Sequence, residues 1–447
     1  PQRSIFKMSD FDRGSGSLVF LTLSWSSGAS SRPAGLFRRK FFVLDMCDLN
    51  GKFFSPLIFS GLVHYHFAQM NISSWKAISK FASLCLIISV IATCRTKDRG
   101  GPAQQVDSLI SGLVSAQEPG LAVLVVKDGL PIVELGCGVA DLQTMSPIDG
   151  RTNFRLASVT KQFTAAAVML LVRDGSLRYE DCLTDIFSDF PEYGRAITIR
   201  HLLNHTSGLP DYEDLLPRYD SSIPIEQAQI KDAGVFELLK QQKAGKFVPG
   251  TKWVYSNSGY VLLGFIIEKI SGRPFRDYLR ERIFAPLKMM GTVAFERDKN
   301  EVPNRAYGHT RRDGHWQETD QSPTSATLGD GGIYSSLSDL MKWDEALRQH
   351  MLLTEAEMQP ALAPVLVPEG TPTEPDGTHA DYGFGWFLNP WKGHARMWHY
   401  GETIGFRTSV QRFIDDDLTV IVLCNRADID ATGLALKVAG LYLADKY

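Results

Sequence analysis

LAVLVVKDGLPIVELGCGVAD, residues 121–141, carries two apolar runs on either side of Lys127-Asp128-Gly129. An Asp-Gly pair between such runs marks a hairpin, because the tight turn needs positive φ at positions where Asp and Gly tolerate it best. Toward the other end of the chain, the segment around Met397–Tyr400, FRTSVQRFI at 406–414 and LTVIVLCN at 418–425 have the same strand character. They alternate or run apolar as the core of a sheet does. Amphipathic helical patterns flank both groups, VDSLISGLVSA at 106–116 and ATGLALKVAGLYLADKY at 431–447.

The stretch between them is mostly helical. AITIRHLLNHTSGLPDY (196–212), SGYVLLGFIIEKISG (258–272), FRDYLRERIF (275–284) and SLSDLMKWDEALRQH (336–350) have helix-period apolar faces, and Ser338 is a candidate cap for the last. The expected fold is α/β, an α+β sandwich. An antiparallel sheet built from both chain ends is flanked by helices, interrupted by an all-helical domain over about 165–325, with a cleft between the two.

The chain of 447 residues is 44% apolar and 22% charged with a net charge of -3, enough for a large core. No broad basic block is present, so composition gives no support for a nucleic-acid partner. Six cysteines are scattered without a Cys-x-x-Cys pair, and ten histidines form no H-E-x-x-H. No metal and no cofactor are expected.

Residues 1–69 form a poorly patterned N-terminal extension, and organised patterning runs over 105–447. From Met70, Lys76 and Lys80 precede an apolar run from Phe81 to Thr93, and a charged, Gly-rich break follows to Gly101. This is the layout of a secretory leader over 70–101, too short for a membrane span. Cys94 stands where a bacterial lipoprotein is cleaved, although Thr93 is not the usual small residue before it. The expectation is an exported protein, periplasmic or membrane-associated through the leader or Cys94.

Three polar pieces interrupt this apolar framework. Ser158 and Lys161 head RLASVTKQFTAAAVMLL (155–171), where helical spacing puts hydroxyl and amine on one face. A desolvated lysine can act as the base for a serine nucleophile, while the plainer reading is a cap and a solvated lysine. Ser73 and Lys76 share the spacing, so the pair by itself decides nothing. Tyr255 and Asn257 precede an apolar helix, offering a proton relay and an amide, or else a rim aromatic and a cap at Asn257 or Ser258. His399 and Gly401 adjoin an expected edge strand, where glycine lets a ligand approach the backbone.

In order, SVTK at 158–161, YSN at 255–257 and HYG at 399–401 resemble the serine β-lactamase-related superfamily. The likeness is nearest to class C β-lactamases, D-alanyl-D-alanine carboxypeptidases and their family VIII-type esterase relatives. HLLNHTSGLPDY (201–212), YSNSGYVLLGFIIEKISG (255–272) and GDGGIYSSLSDLMKW (329–343) support it, and it covers about 105–430. The resemblance implies an acyl-enzyme on Ser158, Lys161 as base or its electrostatic partner, Tyr255 as proton shuttle, and Asn257 positioning lysine and substrate. It also implies an oxyanion hole from the backbone N–H groups of Ser158 and Glu402. The substrate is then a small acyl compound, a D-alanyl peptide, β-lactam or short ester; an esterase or a non-hydrolysing penicillin-binding sensor are the other implied roles. Class C enzymes often carry Lys-Thr-Gly as the third motif. Here His399 stands in place of the lysine, and with an ordinary pKa of roughly 6.5 it holds a carboxylate less securely. Trp391–Gly393 offers a Trp-x-Gly alternative. Arg407 is a candidate carboxylate clamp, or a surface arginine; Asp330 in GDGG reads as part of a tight loop, and Trp386 as pocket lining or core.

Overall fold

The Asp-Gly turn closes as expected. Asp128 and Gly129 have φ of 52° and 74° and join β1 (Leu121–Lys127) to β2 (Leu130–Cys137). The computed structural model describes residues 20–23, 44–47, 100–374 and 377–446. The chain divides into two units, Pro1–Lys97 and Asp98–Tyr447. In the first, Phe20–Leu23 pairs antiparallel with Leu44–Cys47. The expected leader, with its apolar run over 81–93 and Cys94, lies outside the described residues. Among the described residues, no helix is long and apolar enough to cross a membrane.

In the second unit, β3 (Arg396–Thr403), β4 (Phe406–Phe413) and β5 (Leu418–Cys424) join the hairpin. The strand order is β3-β4-β5-β1-β2, antiparallel throughout. The seam between the chain ends is β5 against β1, with Val422 opposite Val123. All of β5 and the first six residues of β1 are buried. Such strands read as continuous apolar runs because both faces of the sheet are covered.

Side chains alternate between those faces. On one, Val123, Val125, Val420 and Val422 meet Val106 and Ile110 of α1 (Pro102–Ser111) and Leu434 and Val438 of the C-terminal helix Ala431–Ala439. On the other, Ala122, Leu124, Ile421 and Leu423 enter the larger core around α2 (Lys161–Arg173). Every residue of α2 from Lys161 to Leu171 is buried, so it is enclosed by other elements. Its neighbours include α3 (Asn257–Ser271), and α4 (Leu337–Arg348), whose Trp343 ring lies 4.6 Å from that of Phe163.

Two caps differ from the sequence expectation. Ser256, not Asn257 or Ser258, caps α3, its Oγ accepting from Gly259 N–H at 3.1 Å. Asn257 is thereby left free to point its amide elsewhere. Ser336 caps α4, whereas the Ser338 hydroxyl donates to the Gly150 carbonyl at 2.8 Å. The stretch over 165–325 also holds a small hairpin, His309–Arg312 with His315–Glu318. A three-stranded ribbon pairs Phe154–Arg155 with Ile333–Ser335 and that strand with Val293–Ala294, fixing the chain just before Ser158.

Candidate active site

Ser158 lies in a 3-10 turn, Ala157–Thr160, and α2 begins only at Lys161. The expectation of one helix carrying both residues is corrected in that detail. The spacing still works, because three residues per turn place i and i+3 in line. Lys161 Nζ donates to Ser158 Oγ at 2.9 Å. The preceding Ala157 has φ 49°, a left-handed conformation uncommon for a residue with a side chain and frequent around functional sites.

Lys161 is fully buried. Its ammonium also donates to Asn257 Oδ1 at 2.9 Å and to the Asp330 carbonyl at 3.0 Å. Burial lowers its pKa to about 8, against the opposing pull of the Asp330, Asp211 and Glu213 charges. A base poised near neutral pH suits abstraction of the serine proton. Thr164 Oγ1 donates to Gly329 O at 2.7 Å, and Thr160 Oγ1 accepts from Ile333 N–H at 3.2 Å. These bonds fasten the GDGG loop to the start of α2. Gly329 is required there, since an added Cβ would stand 2.3 Å from the Tyr260 carbonyl.

The Tyr255 ring lies 4.9 Å from Lys161 Nζ, and its hydroxyl is buried without a hydrogen-bond partner. Burial raises the phenol pKa well above its ordinary value, and nearby Ser158 pulls in the other direction. Tyr255 is therefore a neutral phenol beside the nucleophile, suited to passing a proton. Beneath it lies His205, ring centroids 4.3 Å apart. His205 Nδ1 accepts from Ser256 N–H at 3.1 Å, tying HTSG to YSN.

His399 and Gly401 sit on β3, at the sheet edge. A Cβ at Gly401 would meet Leu156 O at 2.1 Å, Thr408 Oγ1 at 2.4 Å and Ser158 N at 3.1 Å. The edge strand thus runs directly past the nucleophile's backbone, and Glu402, next in the strand, lines the same cleft as Ser158. His399 is fully buried. Its Nδ1 lies 2.6 Å from the Tyr400 carbonyl and its Nε2 3.2 Å from the Tyr382 hydroxyl. A carbonyl only accepts, so Nδ1 carries the proton and Nε2 takes the tyrosine's. Burial, reinforced by the Lys161 charge, lowers its pKa to about 3. Both nitrogens are committed and the ring is neutral, so His399 offers no cationic grip on a substrate carboxylate.

Arg407 stands opposite Glu402 on β4. Its Nη1 donates to the Thr403 and Phe406 carbonyls at 2.6 and 2.8 Å, and its Nε is 3.7 Å from the Glu402 carboxylate. It fastens the β3–β4 turn and is not among the residues lining the cleft. Trp391, of the Trp-x-Gly alternative, packs 5.8 Å from Phe413 in the core on the α1 face. Trp386 is 2% exposed and borders a small apolar cavity behind α2 rather than the cleft.

The cleft, about 250 Å³, is lined by Ser158, Asn257, Tyr212, Glu213, Asp330 and Glu402, among others. HTSGLPDYE, at 205–213, supplies this cleft with two further residues, Tyr212 and Glu213. Tyr212 N–H donates to Ser258 Oγ at 2.8 Å, and its hydroxyl donates to Asp330 Oδ2 at 3.1 Å. Asn257 Nδ2 donates to Glu213 Oε1 at 3.3 Å. The signal was present as two acids flanking Tyr212, but nothing local told that this loop folds against α3. Among the described residues, no group of His, Cys, Asp and Glu is arranged to hold a metal ion.

This combination of serine, buried lysine, neutral tyrosine and an edge-strand backbone is the apparatus of an acyl-transfer hydrolase. Penicillin-binding protein 4* of Bacillus subtilis is 35% identical over 321 residues, covering 68% of each chain. A D-aminopeptidase of Brucella anthropi is 30% identical over 315 residues, covering 69% of this chain. The chain spans 56% of that relative's length. The D-amino acid amidase of Ochrobactrum anthropi SV3, solved with L-phenylalanine amide, superposes with a TM-score of 0.61 at 26% identity, covering 76% of this chain and 97% of the other. The family described as Beta-lactamase matches residues 106–441, and the chain belongs to it, as a serine hydrolase.

Proposed function

We propose that this hydrolase cleaves amides and short peptides of D-configured amino acids through an acyl-enzyme on Ser158. The observation that carries the reading is the Lys161 ammonium bonded to both Ser158 Oγ and Asn257 Oδ1 at 2.9 Å. When Lys161 is neutral it takes the serine proton as Oγ attacks the carbonyl carbon. The oxyanion forms beside Ser158 N–H and the Glu402 backbone, and Tyr255 hands a proton to the departing nitrogen while taking back the one that Lys161 removed from the serine. Water then hydrolyses the ester. The neutral, enclosed His399 weighs against efficient β-lactamase action, because no lysine charge stands at that position for the β-lactam carboxylate. A β-lactamase-fold esterase and a sensor that is acylated without turnover are the competing roles.

The test is a turnover panel of D-alaninamide, acyl-D-Ala-D-Ala, nitrocefin and p-nitrophenyl esters, with Ser158→Ala as control. D-specific amide hydrolysis lost in Ser158→Ala supports the reading. Ester turnover alone supports the esterase, and labelling by a fluorescent penicillin without turnover supports the sensor. The reading extends to export, on the strength of the basic and apolar pattern over 70–94. Expression from Met70 is expected to give a processed, exported protein, with radiolabelled lipid incorporated only if Cys94 is the anchor; an uncut cytoplasmic product would count against export.

A further inference from the structure

A single residue, His205, holds Tyr255 from both sides. Val254 N–H donates to the His205 carbonyl at 3.0 Å, and Ser256 N–H donates to His205 Nδ1 at 3.1 Å. Between these two bonds the phenol ring of Tyr255 rests on the imidazole, 4.3 Å between centroids and tilted by 37°. His205 has φ 62°, a left-handed conformation that His and Asn adopt more readily than most side-chain-bearing residues, and it presents both carbonyl and ring to the one segment. The same loop accepts from that chain twice more, Thr206 O from Gly250 N–H at 2.8 Å and Gly208 O from Lys246 N–H at 2.7 Å.

The imidazole has no proton to give. Nδ1 accepts, so the ring proton is on Nε2, and Nε2 is buried without a hydrogen-bond partner. The tyrosine hydroxyls around it are committed elsewhere: Tyr260 donates to the Leu203 carbonyl at 2.7 Å, and Tyr382 is bonded to His399 Nε2 at 3.2 Å. Burial, then the charges of Lys161 and His399, hold the His205 pKa well below its ordinary value. The neutral ring is not among the residues lining the cleft. Its contribution is geometric.

We propose that His205 is the positioning residue of Tyr255, setting the phenol for proton delivery and thereby deciding how well the enzyme expels poor leaving groups. This rests on the amide-hydrolase reading above. As the C–N bond breaks, its electron pair takes the Tyr255 proton, and the tyrosine recovers the proton held by Lys161. A nitrogen leaving group needs that proton, whereas a thiophenolate departs as a stable anion. A displaced phenol therefore slows amide cleavage and spares an activated thioester.

The experiment compares kcat/KM for D-alanyl-p-nitroanilide and D-alanyl thiophenyl ester, which share one acyl group. The variants are Tyr255→Phe, His205→Phe, which keeps a ring but loses the acceptor, and His205→Asn, which keeps an acceptor and tolerates the left-handed backbone. His205→Phe should lower anilide cleavage by about 100-fold, the scale of a catalytic group misplaced by a distant change. The loss should fall chiefly in kcat and be far smaller on the thioester, and His205→Asn should recover part of it. Tyr255→Phe should show the same selective loss, and adding His205→Phe to it should cost nothing further. Equal losses on both substrates, unchanged anilide cleavage in His205→Phe, or a further loss in the double variant would overturn the proposal while the amide-hydrolase reading stands. Ser158-dependent turnover of the thioester with no anilide cleavage by the wild type overturns both.

Discussion

Gly401 approaches Ser158 so closely that an added Cβ would stand 3.1 Å from the serine's backbone nitrogen. The same Cβ would press on Leu156 O at 2.1 Å and Thr408 Oγ1 at 2.4 Å. Thr408 Oγ1 itself donates to Leu156 O at 2.8 Å, so the edge strand, its neighbour and the nucleophile turn are locked together. The glycine is needed for this approach, not for an unusual φ.

Gly401→Ala is therefore expected to push β3 away from the nucleophile and spoil the oxyanion site. Loss of one such donor typically slows catalysis by about 100- to 1000-fold. Steady-state kinetics should show that loss in kcat/KM, with the secondary structure retained by circular dichroism. Wild-type kinetics in Gly401→Ala would show that β3 takes no part in stabilising the oxyanion.

His399 gives a second expectation. With its pKa lowered to about 3 by burial and by the Lys161 charge, it stays neutral in the folded protein across the usual working range. Its ring proton signals should not titrate between pH 5 and 8, and the nitrogen signals should show the proton on Nδ1. In the unfolded chain the ring titrates near 6.5, so the unfolded state binds the extra proton first. This group's contribution to stability is present above about 6.5 and is lost as pH falls from there toward 3. His399→Gln should flatten that part of the stability–pH curve; an unchanged curve would place the effect elsewhere.

The contrast between the motifs shows what a sequence reveals here. β1 and β5 were legible because strands covered on both faces carry continuous apolar runs, and the Asp128-Gly129 turn is chemistry confined to two residues. Ser158, Lys161, Tyr255 and Asn257 were legible as an ordered set of motifs. The state of His399 was not, because it depends on Tyr382 and on burial in the fold, neither of which has a local signature. Arg407 failed as a visible clamp for a similar reason: its guanidinium turns back to the carbonyls of its own hairpin. Asp211 and Glu213 lie 42 to 46 residues before Tyr255 and Asn257, and only the folding of their loop against α3 brings them to the cleft.

Ser256 offers a test of stability coupled to the site. Its hydroxyl caps α3 through Gly259 N–H, while its own N–H donates to His205. Ser256→Ala keeps the backbone bond and removes the cap, which costs about 1 kcal/mol. Urea denaturation should show a lower midpoint with an unchanged slope. Because Asn257 is the first residue of α3, fraying there should also loosen its hold on Lys161, lowering kcat more than it raises KM. An unchanged urea midpoint would mean that the cap contributes nothing.

Lys161 carries the most specific pH expectation. Burial sets its pKa at about 8, with Asp330, then Asp211 and Glu213, pulling it back upward. The neutral amine is the active form of the base, so kcat/KM should rise with pH and level off above about 8. Lys161→Ala should lower acylation by at least about 100-fold and abolish that rising limb. Asp330→Asn preserves an oxygen to accept from Tyr212 but removes the largest raising charge. The desolvation that depresses the amine remains, so the limb should move to lower pH, and the variant should gain relative activity on the acid side. The Lys161 bond to Asp330 comes from the backbone carbonyl at 3.0 Å, which the substitution leaves in place. A limb that stays put in Asp330→Asn, or persists in Lys161→Ala, would assign the ionisation to another group.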